Sequence, residues 1–556
     1  MKCVLAALNS KYIHSNLAIR YLKQYDEKIE TFEGTINDNI LNMAYKILEL
    51  SPELLGFSCY IWNIEETIKL CSTIKKMDGR IKIFLGGPEV SFNGEDILKK
   101  YDFIDYIIAG EGELTFSEFI KALNENKSLY EVDGLIFKEG NNIIKNQERK
   151  SIMDLNIIPF PYKDKDEIPD KIVYYEAARG CPFGCSYCLS SIDKGIRHLS
   201  IERVKKELKF FIDNDVKLVK FVDRTFNGNK KFAMEIWSFL IENHKNTKFH
   251  FELAGDILDD EELELLSKAP AGLFQFEIGV QTTNPSILKN INRKMDFEKL
   301  KQNIIRIERF GNIHCHLDVI AGLPGENMDS FIKSFDMCME MKPDVLQLGF
   351  LKILKGSPIY NETDKYGIKY LDYPPYQVLS TNTMSYDELK ILIMVEKVFE
   401  EYYNSHLFEY TFSYVLPMVK SDFVFFKDFS YFLKQKGYFD RSFSFSKKTE
   451  FLYEFLKSSF NEIIIKELLL HDYIKTTRRS NIPNFLRRDY PPNIKTIVKG
   501  KMDEIKCIWN DIDIKDIIYI PVKLRVHIEE GNIKIDMKDA ISIFNMKTGN
   551  HIYINI

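Results

Sequence analysis

Short apolar runs alternate with helical patterns from the first residues of this chain to about residue 370. No other feature constrains the fold so strongly, because strand, helix and strand in succession build a parallel, right-handed unit. In the first 130 residues, Cys3–Leu8, Ile29–Phe32, Leu54–Tyr60, Ile81–Leu85 and Tyr106–Ala109 read as strands. Helical stretches lie between them at Asn16–Tyr25, Asp38–Leu50 and Ile64–Lys76, so a parallel, doubly wound sheet is expected. A second series follows: Ile172–Ala177, Leu218–Val222, Phe249–Ala254, Phe274–Val280, His316–Ala321 and Leu346–Leu354. These six runs with helices between them predict a curved, partial barrel.

In both arrangements ligands bind at the carboxyl ends of the strands. The first series carries glycine at three such ends: Gly56-Phe57-Ser58, Gly86-Gly87-Pro88-Glu89 and Gly110-Glu111-Gly112-Glu113. One pair alone would be ordinary turn chemistry. Three ends treated alike point to a bulky cofactor that the backbone approaches closely. No Gly-x-Gly-x-x-Gly follows the first strand, which argues against a dinucleotide. In the second series the ends are polar. Asp223 and Arg224 close the second strand, Glu252 lies in the third, Glu277 and Gln281 flank the end of the fourth, and His314, His316 and Asp318 lie along the fifth. Each alone reads as a satisfied structural group; their recurrence at one end of the barrel is the signal.

Nine cysteines in 556 residues make no disulfide scaffold. Cys3, Cys59, Cys71, Cys315, Cys338 and Cys507 are scattered. The other three stand in Ala178-Arg179-Gly180-Cys181-Pro182-Phe183-Gly184-Cys185-Ser186-Tyr187-Cys188, directly after an apolar strand. Cys181, Cys185 and Cys188 can hold three irons of a cubane cluster and leave the fourth open to a substrate or cofactor. The alternative is a zinc site completed by His198, which lacks the second close ligand pair usual in structural zinc sites. Either way, one metal site in an otherwise free-thiol chain suits a reducing cytoplasm.

With these motifs the chain resembles the radical S-adenosylmethionine (SAM) enzymes. The resemblance rests on the C-x3-C-x2-C loop with Tyr187 before its last cysteine, FVDRTFN at Phe221–Asn227, FEIGVQTTN at Phe276–Asn284 and DVIAGLPGE at Asp318–Glu326. FLGGPE and AGEGE in the first series resemble the cobalamin-binding domain fused to many of these enzymes. The resemblance covers roughly residues 1–375. It implies an α/β fold: a doubly wound Rossmann-like (flavodoxin-like) cobalamin domain at 1–130, a linker at 131–170, a partial (β/α)6 radical SAM barrel at 171–370, and an α+β domain of uncertain role at 371–556. It also implies three cofactors. A [4Fe–4S] cluster would sit on Cys181, Cys185 and Cys188, its free iron chelating SAM, with Tyr187, Asp223, Glu252 and Gln281 around SAM. Ser58, Gly86, Gly87, Pro88, Gly110, Glu111 and Gly112 would hold cobalamin. Reductive cleavage of SAM would then give methionine and a 5′-deoxyadenosyl radical.

Two departures stand out. Many members place Gly-Gly-Glu after the second strand, where this chain has Val222-Asp223-Arg224; Asp223 is expected to take part of the task of holding the amino group of SAM. Cobalamin domains of another type carry Asp-x-His-x-x-Gly. Here Tyr12 stands at the Asp position, so His14 lacks its orienting carboxylate. A cobalt without a protein histidine is favoured, with His14 as ligand the alternative.

The implied activity is methylation of an unactivated carbon. Cyclisation, rearrangement or oxidation without methyl transfer is the runner-up, and a non-catalytic cobalamin or redox sensor is the third reading. An electron donor such as flavodoxin or ferredoxin is implied, and the substrate is left open as a small molecule, peptide or RNA. The assembly is expected to be a monomer or homodimer. A net charge of −5 gives no global reason for nucleic acid or an anionic membrane as partner. No run approaches eighteen apolar residues, and MKCVLAALNSKYIH reads as a buried strand and not a secretory signal, so a cytoplasmic protein is expected.

From about Asp372 the pattern changes. Residues 385–470 are helical in pattern and rich in Phe and Tyr, which reads as core. The basic run Thr476–Ser480 with Asn484–Tyr490 fits a solvated loop better than a phosphate or RNA site. Ile518–Tyr519, Val522–Val526, Ile533–Ile535 and Ile552–Ile554 read as short strands. This C-terminal third is expected to govern substrate acceptance and not radical initiation.

Overall fold

The computed structural model describes residues 1–163, 168, 171–478, 482–487, 491–510, 512–529 and 532–555. It divides into two units, Met1–Ser334 with Met341–Tyr386, and Phe335–Glu340 with Asp387–Ile556.

The first unit holds two large sheets. One is built from β1 (Cys3–Asn9), β2 (Glu30–Thr35), β3 (Leu54–Ser58), β4 (Lys82–Gly86), β5 (Tyr106–Ile108), β6 (Leu135–Glu139) and β7 (Asn142–Lys145). Their order is β2-β1-β3-β4-β5-β6-β7. The first five are parallel, in the flavodoxin-like order, which puts the topological switch point between β1 and β3. Helices α1 (Leu17–Lys23), α2 (Ile40–Glu49), α3 (Ile64–Met77), α4 (Pro88–Ser91), α5 (Gly94–Lys100) and α6 (Gly112–Asn124) connect them. Apolar cores fill both faces, one packing Met43, Ile47, Leu70 and Ile74, the other Ile19, Phe116 and Phe119. β1 is therefore buried along its whole length.

The stretch expected as a linker, 131–170, is corrected in its first part. β6 and β7 form an antiparallel hairpin that extends the sheet to Lys145. The cause is local. Gly140, at φ +59°, makes the tight turn, and Leu135, Ile136 and Phe137 are buried.

The second sheet is the barrel. It runs β15 (Val345–Phe350), β14 (His314–Ala321), β13 (Phe274–Gln281), β12 (Lys248–Leu253), β11 (Leu218–Phe221), β8 (Val173–Tyr175), all parallel. A small antiparallel hairpin, β9 (Ala178–Cys181) with β10 (Gly195–His198), stands between its first two strands in sequence. Helices α7 (Ile201–Asp213), α8 (Lys230–Asn243), α9 (Asp260–Ser267), α10 (Pro285–Asn290), α11 (Phe297–Phe310) and α12 (Met328–Met339) follow in turn. Strict alternation positions the site. Along β13, Phe274, Phe276, Ile278 and Val280 are buried, while Gln275, Glu277, Gly279 and Gln281 are half-buried on the other face.

The two sheets of this unit touch directly. Ile13–Ser15, in the loop after β1, lies beside β8: the Ile172 N–H donates to the Ile13 carbonyl at 2.9 Å, and Ser15 Oγ donates to the Ile172 carbonyl at 2.8 Å. After β15, the Tyr376 hydroxyl donates to Glu89.

The second unit is mostly helical, with α13 (Tyr386–Phe399), α14 (Glu409–Val415), α15 (Asp422–Gln435), α16 (Phe445–Leu456), α17 (Glu462–Thr477), α18 (Ile494–Gly500) and α19 (Met502–Ile508). Its aromatic stripe is core: Phe399, Phe423, Phe426 and Phe429 are buried, and Phe399 meets Phe426 edge-on at 4.8 Å. Among its strands, Ile517–Val522, Ala540–Asn545 and His551–Ile554 form one antiparallel sheet and Arg525–Glu529 pairs with Asn532–Asp536. The strand Ala540–Asn545 was not anticipated. Of the basic run, Arg479, Ser480 and Arg488–Tyr490 lie outside the described residues. Arg478 and Arg487 donate to the backbone carbonyls of Lys547 and Ile482 at 3.0 and 3.2 Å.

Candidate active site

The cysteine loop leaves the β9–β10 hairpin at the carboxyl end of the barrel. Gly180 makes that exit possible: it sits at φ +93°, and a Cβ there would fall 2.1 Å from the Gly195 carbonyl oxygen. The loop is seated on the segment after α10. Asn292 Nδ2 donates to the Gly184 carbonyl at 2.7 Å, and Ser186 N–H donates to the Ile291 carbonyl at 2.9 Å.

Cys181, Cys185, Cys188 and Tyr187 line one cavity together with Glu252 and Gln281. Six of the seven residues expected around the cluster and SAM are thus brought together. Asp223 is not. Its carboxylate Oδ2 accepts from the Ala177 N–H at 3.0 Å, and the side chain is buried away from the cavity. Burial pushes its carboxyl well above the usual range. Its neighbours Arg224 and Thr225 line the cavity instead, and Thr225 Oγ1 lies 3.4 Å from Cys181 Sγ. The reason is backbone geometry. The Val222 N–H is still bonded to the Tyr175 carbonyl, so Asp223 turns back to serve the next free amide of the neighbouring strand end.

His198, the fourth ligand of the zinc alternative, is not in that cavity. Its ring packs on Phe232, 4.4 Å between centroids.

Sequence reasoning missed Arg293. It reaches Cys185 Sγ through NH1 at 3.6 Å and donates through NH2 to the Gly279 carbonyl. Separated from Cys185 by 108 residues, it carries no local signal. Below it the barrel interior is a charged stack. His250 Nε2 and Lys220 Nζ each stand 3.2 Å from Glu277 Oε2. The His250 hydrogen bond, with the Lys220 ammonium, holds Glu277 down at about 2 against the effect of burial. Burial, then the Glu277 and Glu252 charges, push Asp318 well up. His316 is lowered to about 4 by burial and by His314 and His250.

The first sheet presents its own slot at its carboxyl edge, about 370 Å³ in volume. All seven expected residues line it: Ser58, Gly86, Gly87, Pro88, Gly110, Glu111 and Gly112. Around Gly86, Gly110 and Gly112 no protein atom lies within 3.5 Å of an added Cβ, so the slot exists because side chains are missing there. Glu111 does something more. Its carboxylate accepts from Arg197 at 2.7 Å and from the Ile152 N–H at 2.7 Å. Glu113 pairs with Arg179, which also binds Glu176 at 2.9 Å. Both arginines stand on the hairpin that carries the cluster loop, so the acids of AGEGE clamp the two sheets together.

A third cavity, about 670 Å³, borders the other two. It shares Ser190 and Arg224 with the cysteine cavity, and Tyr60, Pro88 and Glu111 with the slot. His14 lines it, with Nδ1 2.7 Å from the Tyr174 hydroxyl. Tyr60 and Trp62 stack in its wall at 4.4 Å.

Comparison with known proteins matches both halves of this arrangement. The B12 binding domain family matches residues 4–120, and the Radical SAM superfamily matches residues 175–338. This chain is a radical SAM enzyme with a cobalamin-binding domain. Its cofactors are accordingly a [4Fe–4S] cluster, SAM and cobalamin. A third family, described as a protein of unknown function (DUF4080), matches residues 364–550 of the enzyme.

The enzyme is 25% identical over 356 residues to an uncharacterized methyltransferase of Pyrococcus horikoshii, covering 62% of this chain and 76% of the relative. It is 24% identical over 355 residues to the cobalamin-dependent radical SAM methyltransferase TokK of Streptomyces tokunonensis, covering 59% and 51%. It is 23% identical over 356 residues to the anaerobic magnesium-protoporphyrin IX monomethyl ester cyclase of Cereibacter sphaeroides, covering 61% and 57%. The match thus spans little more than half of the latter two. Among solved structures, the cobalamin-dependent SAM radical enzyme OxsB superposes with a TM-score of 0.57 at 16% identity, over 90% of this chain and 84% of that one. The methyltransferase TsrM of Kitasatospora setae superposes with 0.55 at 15% identity, over 68% and 80%. At such identities the likeness is one of fold.

The cavity residues suit these groups. Gln281 Oε1, Arg293 Nε and Asp318 Oδ1 are buried at the cysteine cavity without a hydrogen-bond partner among the described residues, as befits polar atoms awaiting a polar ligand. No described helix is long and apolar enough to cross a membrane.

Proposed function

We propose that this enzyme cleaves SAM reductively and transfers a methyl group from cobalamin to an unactivated carbon of its substrate. When bound, the cluster with SAM supplies a hydrogen-abstracting radical, and cobalamin supplies the methyl group. The observation that carries this reading is adjacency: one cavity between the cysteine cavity and the glycine slot shares wall residues with both, Ser190 and Arg224 with the first and Tyr60, Pro88 and Glu111 with the second. Cys181, Cys185 and Cys188 would hold the cluster. Arg293 and Gln281 would hold the polar end of SAM, and Tyr187 and Glu252 would border it. The slot residues Ser58, Gly86, Gly87, Pro88, Gly110 and Gly112 would hold cobalamin, with Glu111 acting through its arginine clamp. We assign no histidine to the cobalt, because no carboxylate orients His14: Tyr12 stands at the Asp position and the partner of Nδ1 is the Tyr174 hydroxyl, at 2.7 Å. Nitrogen splitting in the Co(II) paramagnetic spectrum that vanishes in His14→Ala would count against that assignment.

By function, we divide the chain into a cobalamin domain ending near Lys145, a barrel from about residue 171 to 386, and a C-terminal domain beyond it. The substrate, an electron-donor protein and the oligomeric state, monomer or homodimer, belong to the same proposal. So does a cytoplasmic location, which suits nine free cysteines.

A second reading, ring closure or oxidation without methyl transfer, is favoured by the likeness to the anaerobic magnesium-protoporphyrin IX monomethyl ester cyclase. Anaerobic incubation with reductant and methyl-deuterated SAM separates the readings. 5′-Deoxyadenosine with a deuterated methyl group in the product supports the first. 5′-Deoxyadenosine with an unlabelled, oxidised product supports the second. No 5′-deoxyadenosine at all would refute both.

A further inference from the structure

A carbon that loses hydrogen to a SAM-derived radical and takes a methyl group from cobalamin has to face both cofactors. It therefore lies where the cysteine cavity and the middle cavity border each other. Two residues are common to the walls of both, Ser190 and Arg224. Both can donate hydrogen bonds, and one is a permanent cation. Arg224 stands within electrostatic reach of Cys188 on the cluster side and of Tyr60 in the wall of the slot.

Most other charges of these walls are committed. Arg179 is shared by Glu111, Glu113 and Glu176, and Arg197 holds Glu111 and Asp193. Glu277 is bound by His250 and Lys220. Arg224 differs. Its side chain is 57% exposed, and its one ion-pair partner among the described residues, Glu252, stands 3.7 Å away, too far for a hydrogen bond. The root of the side chain is nevertheless fixed. Asp223 accepts from the Ala177 N–H, the Val222 N–H is bonded to the Tyr175 carbonyl, and Thr225 Oγ1 donates to the Arg224 carbonyl at 2.8 Å. A loosely paired guanidinium on a pinned backbone is a preorganised receptor for an oxyanion, because its planar fork matches carboxylate or phosphate. SAM itself carries one carboxylate, and Arg293, with Nε buried and unpaired beside Cys185, is placed for it. Arg224 is left for a second anion.

We propose that Arg224, with Ser190 of the same two walls, binds a carboxylate or phosphate group of the substrate, so that the enzyme acts on an anionic molecule. The proposal rests on the radical chemistry proposed above.

The test maps modification by phenylglyoxal, an arginine-selective reagent, over the peptides of anaerobic wild-type holoenzyme. The cluster is kept oxidised so that SAM stays intact. Arg224 should react about tenfold or more faster than Arg179 and Arg197, which are ion-paired and only 12% and 10% exposed. With SAM present, excess benzoate or phenyl phosphate should slow the reaction at Arg224 about threefold or more, and uncharged benzamide should not. Protection by benzoate alone assigns the substrate group as a carboxylate, and protection by phenyl phosphate alone assigns a phosphate. Reaction at Arg224 no faster than at Arg179 overturns the proposal. So does full protection by SAM alone, because the guanidinium would then belong to the SAM site. No protection by either anion, or equal protection by benzamide, overturns it as well. Equilibrium dialysis gives a second reading: Arg224→Gln holoenzyme should bind the protecting anion about tenfold more weakly than wild type. Equal binding would sink the proposal. Failure of the radical reading looks different: reduced wild-type enzyme would form no 5′-deoxyadenosine, whatever its arginines react with.

Discussion

Glu111, at the carboxyl edge of the first sheet, and Arg197, on the hairpin that carries the cluster loop, are joined at 2.7 Å across 86 residues of sequence. Burial works against the Glu111 carboxylate, but Arg197, the Ile152 amide and Arg179 together hold it below its usual range. Two residues on, Glu113 makes the matching pair with Arg179. The domain that holds cobalamin thus grips the strands flanking the cluster, and both arginine pairs are largely out of solvent.

That clamp predicts the first result. Glu113→Ala removes one partner of an Arg179 side chain that is only 12% exposed, leaving Glu176 to carry most of the charge. Breaking a buried pair from one side costs about 3 kcal/mol, or a fall of roughly 4 °C in melting temperature for a unit as large as Met1–Ser334 with Met341–Tyr386. Anaerobic calorimetry of the holoenzyme checks it, and iron should also leave the variant faster in a chelator assay. A melting temperature within a degree of wild type would mean the pair is not supporting the hairpin.

Arg293 gives a prediction of affinity rather than stability. A guanidinium beside Cys185, with Nε unpaired, is well placed to receive the carboxylate of SAM. Arg293→Ala should retain full iron and sulfide, because the three thiols are untouched. SAM should bind roughly ten- to a hundredfold more weakly, the equivalent of a charge-assisted hydrogen bond of about 1.5–3 kcal/mol. Titration of the reduced cluster with SAM reads both. Loss of iron with unchanged affinity in the remaining holoprotein would make Arg293 a support of the cluster only.

Asp223 should behave in the opposite way from its sequence position. Its carboxyl is buried and held neutral, so its contribution to stability is fully present below the unfolded value near 3.9 and is lost as pH rises through its elevated folded value. Asn can accept the same hydrogen bond from Ala177 without that loss. Asp223→Asn should therefore match wild type in SAM affinity and exceed it in stability by a margin that grows as pH rises from 5 towards the folded pKa. Weaker SAM binding in this variant would restore the residue to the cofactor site.

The contrast between Asp223 and Glu252 marks what the sequence could reveal. Alternation along β12 and β13 put Glu252 and Gln281 on one face, and a strand cannot change that without slipping its whole register. Asp223 lies past the end of β11, where no periodicity applies and a free amide decided its orientation. The cysteines were legible because their spacing is local, whereas Arg293 and the Glu111–Arg197 pair are contacts between distant segments. Gly110 and Gly112 were legible as a ligand edge, but the acids between and after them had two readings, ligand or clamp, that only tertiary contact separates. The β6–β7 hairpin was missed for a different reason. Its turn signal is present at Gly140, but its strands are short and follow a polar stretch that reads as linker.

The last prediction concerns the slot itself. Gly112 opens α6, and the nearest atom to an added Cβ there is Ile108 Cγ2, at 3.5 Å. Leucine at this position is therefore compatible with the helix and with its neighbours, and its side chain would extend into the space the glycines leave open. Gly110 is unsuitable for the same experiment, because at φ +77° any side chain strains the backbone and confuses loss of fit with loss of fold. Gly112→Leu should fold with a melting temperature near that of the apo wild type and assemble its cluster in full. It should retain little cobalamin after gel filtration, read from the visible spectrum of the extracted corrinoid. With reductant it should still release 5′-deoxyadenosine from SAM, because no cysteine-cavity residue has changed, while deuterated methyl transfer to product should disappear. Full cobalamin retention would move the cofactor out of this slot. Loss of 5′-deoxyadenosine formation together with cobalamin would mean that the two cofactors are coupled across the Glu111 and Glu113 clamp and not merely held in adjacent cavities.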